Sequence, residues 1–143
     1  MALFKGPYKI SMSKIEILHP DKKVSTGAYS AGVLVDDWLF ISGQGPVDLA
    51  TGKVVHGTIE EETLHTLSHI KKITEAAGGT VDDIVKCTVH LQDINEFDRY
   101  NKAYASFFSG IMPARTTVQS VLSDGIKIEI DAIVKLKSGN TNS

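Results

Sequence analysis

Hydrophobic and polar residues alternate most regularly near the end of the chain, between Ile126 and Leu136. One alternating set is apolar and the other polar, with Ile133 as the exception: Ile126, Ile128, Ile130, Ala132, Val134 and Leu136 against Lys127, Glu129, Asp131, Lys135 and Lys137. A period of two over this length predicts a strand with one face on a core. Glu129 then points away from that core, to water or into an interface, where its carboxylate is free for chemistry.

Shorter runs predict the other strands, at 33–35, 38–42, 85–91 and 116–122. The first two flank the turn pair Asp36-Asp37, which indicates a hairpin. The glycines and proline that follow predict a loop over 43–52. Cys87 falls on the apolar set of its strand, so we expect a buried thiol that is a poor nucleophile.

Two helices are predicted. Thr58 begins the first, Glu61 completes a capping box and Gly78-Gly79 ends it. We expect its buried stripe at Leu64, Leu67, Ile70, Ile73 and Ala77. The second helix begins near Asn95 and ends by Gly110, and we expect it to bury Phe97, Tyr100, Tyr104, Phe107 and Phe108.

This order of elements predicts an α+β fold with two helices packed on one face of a sheet. The opposite face would carry polar residues that suit water or another subunit: Lys86, Thr88, His90, Glu129 and Asp131. We expect an amino-terminal arm over 1–13, a single domain over 14–137 and a flexible tail over 138–143.

Composition narrows the classes of function. The 143 residues are 42% hydrophobic with a formal charge of −2 and no apolar run that approaches a membrane span. The balanced charge argues against nucleic acid as the main partner. One cysteine cannot form an internal disulfide, and no signal segment opens the chain, so we expect a cytoplasmic protein.

One helical face carries Glu62, His65 and His69, a spacing that could hold zinc. The pattern is not that of a metalloprotease, and Lys72 shares the face, so we interpret it as a solvated polar surface and expect no metal. A zinc deaminase would also need a Pro-Cys-x-x-Cys element, which a chain with one cysteine cannot contain. Gly43-Gln44-Gly45 lacks a phosphate-loop lysine, and no nucleophile elbow surrounds Ser42.

Arg115 follows Pro113 and precedes a run of β-branched residues. Its guanidinium offers paired donors that match a carboxylate, and it stays charged at any working pH. A surface salt bridge is the alternative. The polar side of the following strand, with Glu129, favours a carboxylate receptor.

Taken together, several motifs resemble the RidA (YjgF) family of reactive-intermediate imine deaminases. They are Gly27-Ala28-Tyr29-Ser30, Ile41-Ser42-Gly43-Gln44-Gly45-Pro46-Val47, Thr51-Gly52, Asp83-Ile84-Val85-Lys86-Cys87-Thr88-Val89, Phe97, Asn101-Lys102-Ala103-Tyr104, Phe107-Phe108, Pro113-Ala114-Arg115 and Lys127-Ile128-Glu129-Ile130. The resemblance covers about residues 15–137. It implies a chorismate-mutase-like mixed sheet, assembled as a homotrimer with a ligand cleft between subunits.

The resemblance also implies an activity: hydrolysis, without a cofactor, of enamines and imines such as 2-aminoacrylate and its imine to a 2-oxo acid and ammonia. Arg115 would hold the substrate carboxylate and Glu129 would direct the attacking water. Tyr29, Ser42 and Asn101 match residues that line the family's cleft. These roles fit the chemistry, because an iminium carbon needs orientation, a water and a proton acceptor.

Two positions depart from the family pattern. Thr117 stands where many of these deaminases have cysteine, and Ala28 stands where a proline usually precedes the tyrosine. We expect both changes to affect substrate preference more than fold.

Two alternatives remain open. The same cleft could serve a regulatory module that binds a small acid without turnover. The chain could also cleave RNA, as has been attributed to members of this family, although it lacks a stripe of basic and aromatic residues.

Overall fold

The computed structural model describes residues 13–138, so most of the arm and of the tail predicted from the sequence lies outside the described residues. The strands are β1 (Ile15–Ile17), β2 (Gly32–Val35), β3 (Trp38–Gln44), β4 (Val47–Asp48), β5 (Lys53–Val54), β6 (Ile84–Leu91), β7 (Ala114–Gln119) and β8 (Ile128–Lys135). The helices are α1 (Ile59–Ala76) and α2 (Phe97–Phe107).

Six strands form one mixed sheet in the order β1-β2-β3-β8-β6-β7. The β6–β7 pair is parallel because α2 carries the chain back across the sheet, and the other pairs are antiparallel. Helix α1 packs on β3 and β8 and against α2, so both helices cover the same face of the sheet. The predicted α+β fold is confirmed.

The predicted hairpin is present, and Asp36 makes its turn with a left-handed φ of 54°. The expected loop over 43–52 was wrong in part. Strand β3 continues to Gln44 through a β-bulge against β8, and β4 and β5 form a small hairpin of their own. Gly43 and Gly45 thus mark a bulge and a bend rather than the end of regular structure.

Helix α1 has the predicted capping box: Thr58 Oγ1 accepts from the Glu61 amide at 3.1 Å, and Glu61 Oε1 accepts from the Thr58 amide at 2.8 Å. Leu67, Ile70 and Ile73 are fully buried as expected. Leu64 is 41% exposed. At 100° per residue, Leu64 lies about 140° from the centre of the buried face, so its inclusion in the stripe was wrong.

The interpretation of Glu62 and His69 as part of a solvated face was also wrong, because both side chains are buried, at one edge of the helix face that packs into the protein. Glu62 is 1% exposed and accepts hydrogen bonds from the amides of Gly57 at 3.0 Å and Lys127 at 2.8 Å. It therefore ties the start of α1 to the start of β8. Within residues 13–138, no group of three or more metal-ligating side chains could hold an ion.

The alternation of β8 is confirmed, since Ile128, Ile130, Ala132 and Val134 are buried and the residues between them are half-buried. Cys87 is fully buried, and burial raises the pKa of its thiol. Helix α2 starts at Phe97, after a short 3₁₀ turn over 94–96, and Tyr100 and Tyr104 are buried as expected. None of the helices in the described part of the chain could span a membrane.

Candidate active site

Glu129 lies on the open face of the sheet, opposite the helices, beside the bulge in β3. An added Cβ on Gly43 would lie 2.9 Å from the Glu129 carboxyl carbon, which is closer than two such carbons can approach. Glycine at position 43 therefore makes room for this carboxylate. The two residues line a cleft of about 430 Å³ whose walls come from residues 24–29, 43–54 and 123–126. We call it the Glu129 cleft.

Tyr29 reaches the same cleft, whereas Ser42 supports it from behind. The Tyr29 ring is 46% exposed, its hydroxyl hydrogen-bonds Thr26 Oγ1, and Lys22 Nζ lies 4.7 Å from its centroid. Ser42 Oγ donates to the Ser30 carbonyl at 2.6 Å. Ser42 thus fixes the end of the segment that presents Tyr29, and its hydroxyl is already engaged.

Arg115 occupies a different environment. It pairs in β7 with Cys87 of β6, and paired residues of parallel strands point to the same face, which here is the face covered by helices. Its guanidinium carbon lies 4.7 Å from the Tyr104 centroid, 5.2 Å from that of Tyr100 and 5.6 Å from that of Phe97. These three rings form an aromatic cradle that attracts the cation.

Asn101 and Thr117 complete the surroundings of Arg115. Arg115 Nη1 donates to Asn101 Oδ1 at 2.9 Å, which leaves other guanidinium donors for a ligand. Thr117 Oγ1 hydrogen-bonds the Tyr100 hydroxyl at 2.7 Å, so the threonine holds a ring of the cradle. Burial raises the pKa of both Tyr100 and Tyr104, which keeps these rings neutral beneath the cation.

The six predicted site residues therefore form two groups that do not meet within one chain. Arg115, Asn101 and Thr117 lie on the helix-covered face at the β7 edge, whereas Glu129 and Tyr29 lie at the cleft and Ser42 lies behind it. Arg115 lies two strands away from Glu129 across the sheet and is offset from it by three residues along the strand direction. These two offsets give a Cα distance of about 14 Å. Their side chains also point to opposite faces.

A buried histidine pair beneath the cleft was missed by the sequence analysis. His19 Nε2 and His69 Nδ1 are 2.9 Å apart, His69 Nε2 lies 2.7 Å from the Val47 carbonyl, and the Asp21 amide donates to His19 Nδ1 at 3.0 Å. Because a carbonyl only accepts and an amide only donates, His69 donates to Val47 and His19 donates to His69. Both rings are therefore neutral.

This pair attaches the loop before Tyr29 and the β4 segment of the cleft to helix α1. Burial lowers the pKa of His69 to about 4 and also lowers the pKa of His19. Only the i, i+4 spacing of His65 and His69 was visible in the sequence, and His19 lies 50 positions away from His69.

A family model described as endoribonuclease L-PSP matches residues 20–136, a range that includes all six predicted site residues. The chain belongs to this family, the Rid (YjgF/RutC) family.

Among its Rid relatives, a RutC family protein of Saccharolobus solfataricus is 46% identical over 76% of this chain and 87% of its own length. A 2-iminobutanoate/2-iminopropanoate deaminase of Rattus norvegicus is 43% identical over 75% of this chain and 79% of its own length. The crystal structure of E. coli TdcF with bound serine superposes with a TM-score of 0.80, at 33% identity, and covers 86% of this chain and 99% of that one.

Proposed function

We propose that this Rid protein hydrolyses reactive enamines and imines that carry a carboxylate, and releases a 2-oxo acid and ammonia. The observation that carries the proposal is the pairing of a cleft around a carboxylate, Glu129, with a guanidinium, Arg115, that is held ready for a carboxylate ligand. The rat relative named as an imine deaminase and the TdcF structure with bound serine support a small substrate of this chemistry.

The site is shared between subunits in this proposal. Arg115 and Glu129 lie on opposite faces of one sheet, so one substrate can touch both side chains only if they come from two chains. The open face also carries large apolar side chains that suit burial against another copy. Trp38 is 42% exposed, Phe40 44% and Val118 41%. We infer a closed homotrimer, in which each interface would form one site.

The reaction follows from these groups. Arg115 pairs with the substrate carboxylate, and Asn101 and the aromatic cradle keep the guanidinium in place. Glu129 accepts a proton from a water as that water attacks the imine carbon. The tetrahedral intermediate then expels ammonia as the nitrogen is protonated, so imine and water give 2-oxo acid and ammonia. In this scheme the iminium carbon is electrophilic by itself, and no cofactor takes part.

The test is a coupled assay in which an amino-acid oxidase generates imines and their disappearance is followed. Wild type should accelerate the loss, and Arg115→Ala and Glu129→Gln should each remove most of the acceleration because each deletes one half of the site. Lys71→Ala, a change at an exposed position of helix α1 away from both groups of site residues, is the control. Unchanged activity in either site variant would contradict the assigned role.

Two other functions predict different results. A module that binds a small acid would show saturable binding of a 2-oxo acid without imine turnover. The description of the matching family as an endoribonuclease supports a test of RNA cleavage as well. Cleavage by wild type that is lost in Glu129→Gln, together with no imine turnover, would favour that function.

A further inference from the structure

The Glu129 cleft is acidic. Among the described residues that line it, two are carboxylates, Glu129 and Asp124, and none is lysine, arginine or histidine. The rest of the wall combines small polar groups with apolar side chains: Val24, Val47, Leu49, Val54 and Ile126. A bound molecule that extends along this wall therefore meets apolar surface and negative charge.

Asp124 is held at the cleft by the backbone. It lies in the short turn between β7 and β8, with a left-handed φ of 57°, and is followed by Gly125 with a φ of 71°. Ile126 is 7% exposed and anchors the end of this turn in the protein. Within residues 13–138 no ion pair or hydrogen bond engages the Asp124 carboxylate, so its charge is uncompensated.

We propose that the cleft accepts imino acids with a neutral or cationic side chain and discriminates against acidic side chains, and that Asp124 determines this specificity. The inference rests on the proposed function, in which the substrate carboxylate pairs with Arg115 of the partner subunit. The substrate side chain then lies along the wall toward Asp124. Asp124 is exposed, and at an effective dielectric constant of about 40 the repulsion between two like charges about 8 Å apart changes kcat/KM about fivefold.

The first experiment compares kcat/KM for the imines of methionine, glutamate and arginine in the oxidase-coupled assay. Wild type should prefer the methionine and arginine imines over the glutamate imine. Asp124→Asn should reduce this preference about fivefold, and Asp124→Lys should favour the glutamate imine further. Asparagine tolerates the left-handed backbone, so the first variant keeps the turn.

The chain offers a matched control in Asp36→Asn. Asp36 is also an exposed aspartate with a left-handed φ, 54°, but it lies in the β2–β3 turn, at the other end of β3 from the cleft. This variant should keep the wild-type preference. A ratio of glutamate to methionine turnover that is equal in wild type and Asp124→Asn would overturn the inference.

A binding measurement separates this inference from the proposed function. Titration calorimetry with 2-oxoglutarate and 2-oxohexanoate compares an acidic and a neutral chain of similar length without any turnover. Asp124→Lys should shift the ratio of the two Kd values toward 2-oxoglutarate by about 25-fold, because the charge changes by two and a repulsion becomes an attraction. If the Kd ratio shifts but no imine is turned over, the proposed deaminase activity is contradicted and the role of Asp124 is not. An unchanged Kd ratio would contradict the role of Asp124.

Discussion

The separation of Arg115 and Glu129 predicts that two inactive variants restore each other's activity. If each site takes its guanidinium from one subunit and its carboxylate from the next, Arg115→Ala chains still contribute Glu129 and Glu129→Gln chains still contribute Arg115. Neither variant alone can form a complete site. A mixed oligomer can, because an intact Glu129 from one chain can face an intact Arg115 from the other.

The expected recovery follows from counting. In a random one-to-one mixture, each side chain of a site comes from an independently drawn subunit and is intact with a probability of one half. About a quarter of the sites are then complete, whatever the number of subunits in a closed ring. The mixture should therefore reach about a quarter of wild-type kcat with the wild-type KM, since each complete site is unaltered.

The measurement requires subunit exchange. The two variants are unfolded in urea, mixed in equal amounts, refolded by dilution and assayed with oxidase-generated imines, and each variant refolded alone gives the background. Native mass spectrometry with one variant isotopically labelled shows whether mixed oligomers have formed. Mixed oligomers with activity at the background level would refute the shared site, and so would a monomer in the mass spectrum of wild type.

Two further predictions concern the histidine pair and the bulge. The pKa of His69 is about 4 in the folded protein and about 6.5 when unfolded, so the unfolded state takes up the proton first as pH falls. The stability is fully present above the unfolded value, and protonation linked to His69 should remove about 2 kcal/mol of it between pH 7 and 4.5. Urea unfolding at fixed protein concentration should show this loss in wild type and in the control His65→Gln, but much less of it in His69→Gln. An equal dependence of the unfolding free energy on pH in wild type and His69→Gln would contradict the neutral histidine pair. Gly43→Ala should displace the Glu129 carboxylate and lower kcat/KM about 100-fold, with an unchanged circular dichroism spectrum. The control is Gly110→Ala, which should stay active because its Cβ would meet only the exposed Asp82 carboxylate, at 3.0 Å.

The sequence predicted those parts of the fold in which local chemistry decides the outcome. The alternation in β8 follows from a single buried face, and the Thr58 capping box follows from local hydrogen bonds that do not depend on the rest of the chain. The burial of Glu62 and His69 could not be read in the same way. Their partners, Lys127 and His19, are 65 and 50 positions away, so only the packed structure shows why polar groups can be buried there.

The residues of the candidate site stay a prediction, and their arrangement in the fold could not be read from the sequence. Arg115 and Glu129 were identified from the motif and the strand pattern, yet a pattern of period two assigns faces only relative to neighbours on the same strand. Pairing with Cys87 places Arg115 on the helix-covered face, and this pairing is a long-range property of the sheet. Asp124 was not singled out because its turn has no periodic signal, and only the structure shows that it lines the cleft.

The cradle around Arg115 has a consequence for the thermodynamics of ligand capture. A free arginine side chain loses about 2 kcal/mol of rotational entropy when it is immobilised. Here Asn101 and three rings already restrict the guanidinium without any ligand. In the proposed function, an arriving carboxylate meets a receptor whose conformational freedom was lost during folding, so the association rate should approach the rate of diffusive encounter and vary with temperature only as solvent viscosity does.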